Sequence, residues 1–263
     1  MSDILSNKVA LITGGGSGLG ATMAKRFSDH GANIVITGRR EKYLKKVAEE
    51  TGAIFVPGNV TNAEHLSLAV DRAIEAFGGL DIVVANAGII AGTDIASTKA
   101  SDWQGLVDTN LTGTMLTAKA ALPALIKRGG GAIVNISSVA GLMGVGEAAA
   151  YCTTKSALLG LTRSMAIDYG YHNIRVNTLC PGWFHSEMSD MEMVELAQEK
   201  NITIEAAIER VTKYLPLKRM ADPDEIAACA EFLVSDMASF VTGTVLVADG
   251  GGAIVDVGML GFL

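Results

Sequence analysis

The chain has 263 residues, of which 49% are apolar and 5% aromatic, with 30 glycines and a net charge of −7. That is enough apolar material for one large α/β domain with a sizeable core. The negative charge excludes a broad nucleic-acid surface or a surface for anionic membranes. In chain order, the first eight residues lack the basic stretch and apolar core of a secretory signal. Apolar runs of strand length then alternate with longer amphipathic stretches. Strands are expected over 8–13, 33–37, 53–56, 80–86, 132–138, 174–179 and 244–248. Helices are expected over 19–30, 41–51, 63–77, 100–127, 149–169 and 222–235. Such alternation predicts one seven-stranded parallel sheet with helices on both faces. Residues 188–214 break the rhythm. They are rich in Met, Glu and Ala, too long for an ordinary connection, and are expected to form a helical lid over a site. No apolar run reaches the roughly 18 residues of a membrane helix. Cys152, Cys180 and Cys229 are odd in number and scattered, which fits a reducing cytoplasm better than a disulfide framework. No Cys or His pair has metal-ligand spacing, so no metal is expected.

After the first strand comes Thr13-Gly14-Gly15-Gly16-Ser17-Gly18-Leu19-Gly20, and then a helix. Glycine is needed where backbone approaches a phosphate closely or turns sharply. The helix start offers free N–H groups and a positive dipole end to a pyrophosphate. The spacing carries one residue more than the common dinucleotide fingerprint. It resembles the short-chain dehydrogenase/reductase family, of the classical type. The resemblance extends over nearly the whole chain and implies a doubly wound Rossmann fold. Asn86-Ala87-Gly88 matches the family's Asn-Asn-Ala-Gly, with Ala85 in place of the first Asn, a departure expected to loosen one structural hydrogen bond. Pro181-Gly182 and Asp249-Gly250-Gly251 also follow strands as the family would have them.

By that resemblance, Gly14, Ser17, Gly18, Leu19, Gly20, Asn86, Ala87, Gly88, Pro181 and Gly182 bind a nicotinamide dinucleotide. Asn59 stands where the family usually has Asp against the adenine amino group, followed by Val60. Ser186 stands where it often has Thr against the carboxamide. The residue after the second strand selects between NAD and NADP. A carboxylate there binds ribose hydroxyls. Here the run is Thr37-Gly38-Arg39-Arg40, with no carboxylate. Guanidinium forks suit a 2′-phosphate, so NADP is the expected cofactor through Arg39, with NAD as the alternative.

Tyr151-Cys152-Thr153-Thr154-Lys155 places a tyrosine and a lysine one helical turn apart on one face. Hydride transfer to a carbonyl leaves an alkoxide that needs a proton, and the reverse reaction needs a base. A free tyrosine, with a pKa of about 10, is a poor base at neutral pH. An ammonium at about 4 Å, with an effective dielectric near 20, would favour the phenolate by roughly 4 kcal/mol. Lys155 is therefore expected to bring Tyr151 down towards working pH, where acid–base catalysis is most effective. By resemblance, Ser138 grips the substrate oxygen and Ser137 is structural. Asn110 holds a water that completes a proton relay to Lys155, and Lys155 also holds the nicotinamide ribose. Tyr151 sits against the same cofactor.

The expected activity is interconversion of a secondary alcohol and a ketone. The alternatives are a dinucleotide-binding regulator without turnover and an epimerase or dehydratase of the extended branch. The former is countered by the complete Ser–Tyr–Lys set, the latter by the short stretch after Asp249. An enoyl reductase is disfavoured because its tyrosine–lysine spacing is wider. Ile90, Leu142, Met143, Val145, Trp183, Phe184, Met188, Met191 and Met193 are candidates for a pocket wall suited to an apolar or cyclic substrate. Fold alone does not name the substrate. The family is usually tetrameric, and the apolar tail from Ala253 to Leu263 would be costly to leave in water. It is expected at a subunit interface.

Overall fold

The computed structural model describes residues 3–256. Residues 257–263, the larger part of the tail expected at a subunit interface, lie outside the described residues. The strands are β1 (Val9–Thr13), β2 (Asn33–Gly38), β3 (Ile54–Pro57), β4 (Ile82–Ala85), β5 (Gly131–Ile136), β6 (Ile174–Pro181) and β7 (Val245–Ala248). All pairings are parallel, in the order β3-β2-β1-β4-β5-β6-β7. The helices are α1 (Gly18–Asp29), α2 (Glu41–Thr51), α3 (Ala63–Phe77), α4 (Ala100–Leu106), α5 (Gly113–Arg128), α6 (Ala149–Tyr169), α7 (Glu187–Lys200), α8 (Ile204–Thr212) and α9 (Pro223–Val234). This is the doubly wound Rossmann architecture expected from the sequence.

The central strands β1, β2, β4, β5 and β6 are largely buried on both faces, and most of their positions are apolar. Successive side chains go to opposite sides. Ala10 and Ile12 of β1 pack with Met23 and Phe27 of α1 and with Ile226 and Ala230 of α9. Val9 and Leu11 pack on the other face with Ala69 of α3, Ala121 and Leu125 of α5, and Met165 of α6. An ion cluster joins α1 to α9. The Arg26 side chain donates to Glu231 at 2.8 Å and to Asp224 at 2.6 Å, and His30 meets the other oxygen of the buried Glu231 carboxylate. The chain runs outward through β1, β2 and β3, then returns beside β1 as β4. That reversal opens a crevice at the carboxyl ends of β1 and β4, the usual place for a ligand in such sheets.

The helix expected over 100–127 is interrupted. Between α4 and α5 the backbone forms a π-helical turn over Val107–Thr112. A π turn carries one extra residue and bulges the helix. Here the bulge turns Asn110 inward until it is 1% exposed. Periodicity could not show this, because the apolar pattern on either side is helical in both cases. The segment 188–214 is helical, as two helices, α7 and α8, with Asn201 after α7 in a left-handed conformation (φ 51°).

Candidate active site

The glycine loop leaves β1 at the reversal point. Gly18 has φ +51° with nothing within 4 Å of the place a Cβ would take, so its outer face is open. Gly20 is needed for the opposite reason: a Cβ there would lie 2.3 Å from the Gly14 carbonyl oxygen. Ser17 stands at the N-cap of α1 but makes no side-chain cap, and the first turn of α1 holds no acidic residue. The first-turn N–H groups of Gly18, Leu19 and Gly20 are thus left uncapped at the positive end of the helix, as an anionic pyrophosphate requires. The residues present fit a dinucleotide.

Asn86 is placed differently from the expectation. Its amide turns into the protein and donates to the carbonyls of Thr13 at 2.9 Å and Gly14 at 3.4 Å. The Thr13 hydroxyl in turn accepts the N–H groups of Asn86 and Ala87, each at 3.1 Å. Asn86 therefore shapes the loop from behind. Thr13 was missed in the sequence because a hydroxyl at the end of an apolar strand reads as part of the strand. Ala85 offers no side-chain donor to its neighbour on β5. Asn135 pairs in register with Ala85, and its Oδ1 is buried with no hydrogen-bond donor among the described residues.

At the end of β2, Arg39 is exposed and makes no ion pair or hydrogen bond among the described residues. Its neighbour Arg40 is engaged. It stacks 4.4 Å over the Tyr43 ring, donates to Ser17 Oγ at 2.6 Å, and lies 3.7 Å from the Glu187 carboxylate at the start of α7. Asn59 uses its side-chain oxygen to accept the Thr61 N–H at 3.2 Å, while its own N–H donates to His65 Nδ1 at 3.0 Å. Val60 is buried beneath it.

β5 stops at Ile136, two residues earlier than expected. Ser138 then caps a short turn over Val139–Gly141, its Oγ accepting the Ala140 N–H at 3.2 Å. This brings Ser138 beside Tyr151, near the start of α6, where its hydrogen bond favours the phenolate. Ser137 donates to the Lys155 carbonyl at 2.8 Å and is structural, as the resemblance implies. Asn110 accepts the Ile89 N–H at 2.8 Å and donates to the Ile89 carbonyl at 2.9 Å and to Thr154 Oγ1 at 3.2 Å. Asn110 Oδ1 and Lys155 Nζ each lie 3.4 Å from the point where a Cβ on Gly88 would sit. The two polar groups thus face one small space behind Gly88.

The electrostatics differ from the simple charge-pair expectation. Lys155 Nζ lies 5.7 Å from the Tyr151 ring centre and donates to the Ile136 carbonyl at 2.9 Å. Burial dominates at both groups. It pushes the Tyr151 phenol up, with Ser138 opposing and the nearby Glu192 charge adding to the rise. It pushes the Lys155 ammonium down to about 8, with only a weak opposing field from Cys180. The attraction argued from sequence assumed a 4 Å pair in a polar medium. The loss of water reverses the sign at Tyr151.

The carboxyl end of β6 completes the site. The Gly182 N–H donates to the Ala248 carbonyl at 3.0 Å, and Pro181 pairs with Ala248. Ser186 caps α7 in a reciprocal pair with Ser189. Met193 is 2% exposed and packs with Ala197, Ala207, Met220 and Trp183 inside the α7–α8 pair, so it belongs to that small core and not to a pocket wall. Ile90, Leu142, Met143, Val145, Met188 and Met191 all remain substantially exposed, an unusual density of open apolar surface in segments flanking the tyrosine.

Lysine burial has a stability consequence. The unfolded chain holds this proton up to the ordinary lysine value of 10.5, and the folded chain releases it near 8. The penalty for burying the charge is complete below pH 8 and is relieved as pH rises through that interval. Lys155→Met should therefore raise the melting temperature at pH 7 by several degrees. The gain should shrink between pH 8 and 10.5 in thermal melts. A variant less stable than wild type at pH 7 would show that the Ile136 bond outweighs burial.

A family model described as "Enoyl-(Acyl carrier protein) reductase" matches residues 14–252. The chain is 37% identical over 259 residues to a 2,5-dichloro-2,5-cyclohexadiene-1,4-diol dehydrogenase of Sphingobium indicum, covering 97% of this chain and 99% of that one. It is 39% identical over 262 residues to a trans-4-hydroxycyclohexanecarboxylate dehydrogenase of Sinomonas cyclohexanicum, covering 95% of each. Its structure superposes on that of a levodione reductase with a TM-score of 0.89 and 32% identity, over 95% of this chain and 99% of the other. Likeness of this length, in sequence and in fold, places the chain in the short-chain dehydrogenase/reductase family, as an oxidoreductase that acts on CH–OH groups with a nicotinamide dinucleotide.

Proposed function

We propose that this enzyme interconverts a ketone and a secondary alcohol on an apolar, ring-shaped skeleton, preferring NADP to NAD. The observation that carries the reading is the convergence of Ser138, Tyr151 and Lys155 at the carboxyl edge of the sheet, beside the uncapped start of α1. The exposed apolar residues around Tyr151 support the skeleton. So do the ring substrates in the names of the relatives. Those relatives are named dehydrogenases, and the one-turn spacing of Tyr151 and Lys155 favours alcohol chemistry over the enoyl reduction in the family model's description.

The bound dinucleotide supplies or takes the hydride. The first turn of α1 holds its pyrophosphate, on a loop shaped by Asn86 and Gly20, with Ala87 and Gly88 lining the floor. Asn59 and Val60 border the adenine, and Pro181, Gly182 and Ser186 the nicotinamide end. In reduction, Ser138 donates to the substrate oxygen while Tyr151 delivers its proton there. Burial keeps that proton on Tyr151 until negative charge develops on the substrate oxygen. Lys155 meets the nicotinamide ribose, and the space it shares with Asn110 holds a relay water. The α7–α8 pair closes over the substrate as a lid. Tyr151→Phe should lower kcat by at least a thousandfold while leaving dinucleotide binding intact by fluorescence titration. Turnover near the wild-type rate would remove Tyr151 from this role.

The unpartnered Arg39 supports NADP, since a doubly negative 2′-phosphate would find a free guanidinium there. Arg39→Ala should weaken NADPH binding at least tenfold and NADH binding about twofold or less. Equal losses would overturn the preference.

The scattered free cysteines fit a cytoplasmic setting. β7 is an edge strand beside an apolar groove of about 590 Å3, whose lining includes Leu217, Val247 and Ile254. Such an edge is a liability unless covered, and a homotetramer would cover it. Sedimentation should show a tetramer that Val247→Asp splits into smaller species. A wild-type monomer at micromolar concentration would refute this.

A further inference from the structure

Arg40 makes three contacts that the chemistry above leaves unused. One arm of its guanidinium donates to the Ser17 hydroxyl at 2.6 Å, and another lies 3.7 Å from the Glu187 carboxylate. Its plane rests 4.4 Å over the Tyr43 ring. Tyr43 in turn packs on the glycine loop, its Cβ 3.4 Å from where a Cβ on Gly16 would sit. Arg40 is thus held from the loop side and reaches outward to the lid. The other ion pairs of the lid stay local: Asp190 with His185, and Glu199 with Lys200.

The reach is long in terms of the sheet. β2 leads to Arg40 and β6 leads to Glu187, and these strands stand four places apart. At about 4.8 Å per strand that is roughly 19 Å. The ion pair therefore spans the carboxyl edge, across the crevice at β1 and β4. The start of α1 lies beneath it, because Ser17 is one of its anchors. A serine at an N-cap ordinarily accepts an N–H of the first turn. Ser17 makes no such bond, and its hydroxyl is turned to Arg40 instead.

We propose that Arg40 and Glu187 form a clasp that fastens the lid over the dinucleotide, so that Arg40 governs release of the cofactor while Arg39 governs its choice. This rests on the reading of α7 and α8 as a lid over a bound dinucleotide. Arg40 is a positioning residue in this role. Opening of the pair frees the start of α7, and such gating steps set the pace of cofactor exchange. Both side chains are more than half exposed, so the pair alone is weak and open to salt. Its guanidinium is already fixed by Ser17 and Tyr43, so little freedom is lost when Glu187 joins.

The test follows release of NADH and of NADPH by stopped-flow fluorescence at low ionic strength. It compares wild type, Glu187→Gln, Arg40→Leu and the double variant. Thermal melts confirm that each is folded, and Glu187→Gln serves if Arg40→Leu fails to fold. Each single variant should release both dinucleotides about threefold faster. The double variant should be no faster than the quicker single one, as expected for two partners in one contact. High salt should speed release from wild type more than from Glu187→Gln. Unchanged release in Glu187→Gln, or additive effects in the double variant, overturns the clasp and leaves the oxidoreductase reading standing. Acceleration confined to NADPH, or tighter NADPH binding by Glu187→Gln, also overturns it, making Arg40 a 2′-phosphate ligand for which Glu187 competes. Binding of neither dinucleotide by wild type overturns both the clasp and the reading it rests on.

Discussion

The Thr13 hydroxyl accepts two successive backbone N–H groups from the end of β4, and the Asn86 amide returns the bond to the carbonyls of Thr13 and Gly14. This exchange stitches together the two strands at the point where the sheet reverses direction. The glycine loop inherits its shape from that stitch, because the start of α1 comes so near that a Cβ on Gly20 would lie 2.3 Å from the Gly14 carbonyl oxygen. Four hydrogen bonds are made at once in a place with little water, so loss of any one partner would leave others unpaired. The phosphate-facing surface is a backbone surface. Its side chains serve to hold that backbone still.

Burial governs the other half of the site. Tyr151 and Lys155 share one helix face, yet each is moved away from its charged form by the loss of water. A neutral phenol and a readily deprotonated ammonium form a pair that waits for charge to arrive from outside. Ser138 is the polar neighbour that opposes burial at the phenol, and Glu192 adds to it.

Much of the fold was legible because parallel strands here are continuous apolar runs and the helices are bounded by glycine or capping residues. Asp222 and Ser235 bracket α9 at the positions where the sequence places its ends. Tyr151, Lys155 and Ser138 were legible because chemistry constrains residue type and spacing together. What stayed hidden depended on side-chain direction and solvent. Asn86 could face the cofactor or the protein, and only the carbonyls behind it decide. Arg39 and Arg40 are adjacent and alike, but a tyrosine one turn into α2 takes up the second and leaves the first free. Met193 read as a pocket residue because its helix was known and its helical partner α8 was not. The sign at Tyr151 was missed because spacing gives proximity and says nothing of hydration.

The π turn ahead of α5 sets chain length as a quantity in its own right. An α-helix advances about 100° per residue, with 3.6 residues per turn. Removing one residue from Val107–Thr112 would restore regular hydrogen bonds and rotate α4 by about that angle against α5. Asn110 would then leave the backbone of Ile89, and the floor behind Gly88 would lose its support. Two chains that differ by a single gap in this helix would align almost perfectly and yet not share a site. In this stretch the register of an alignment carries more information than its identity.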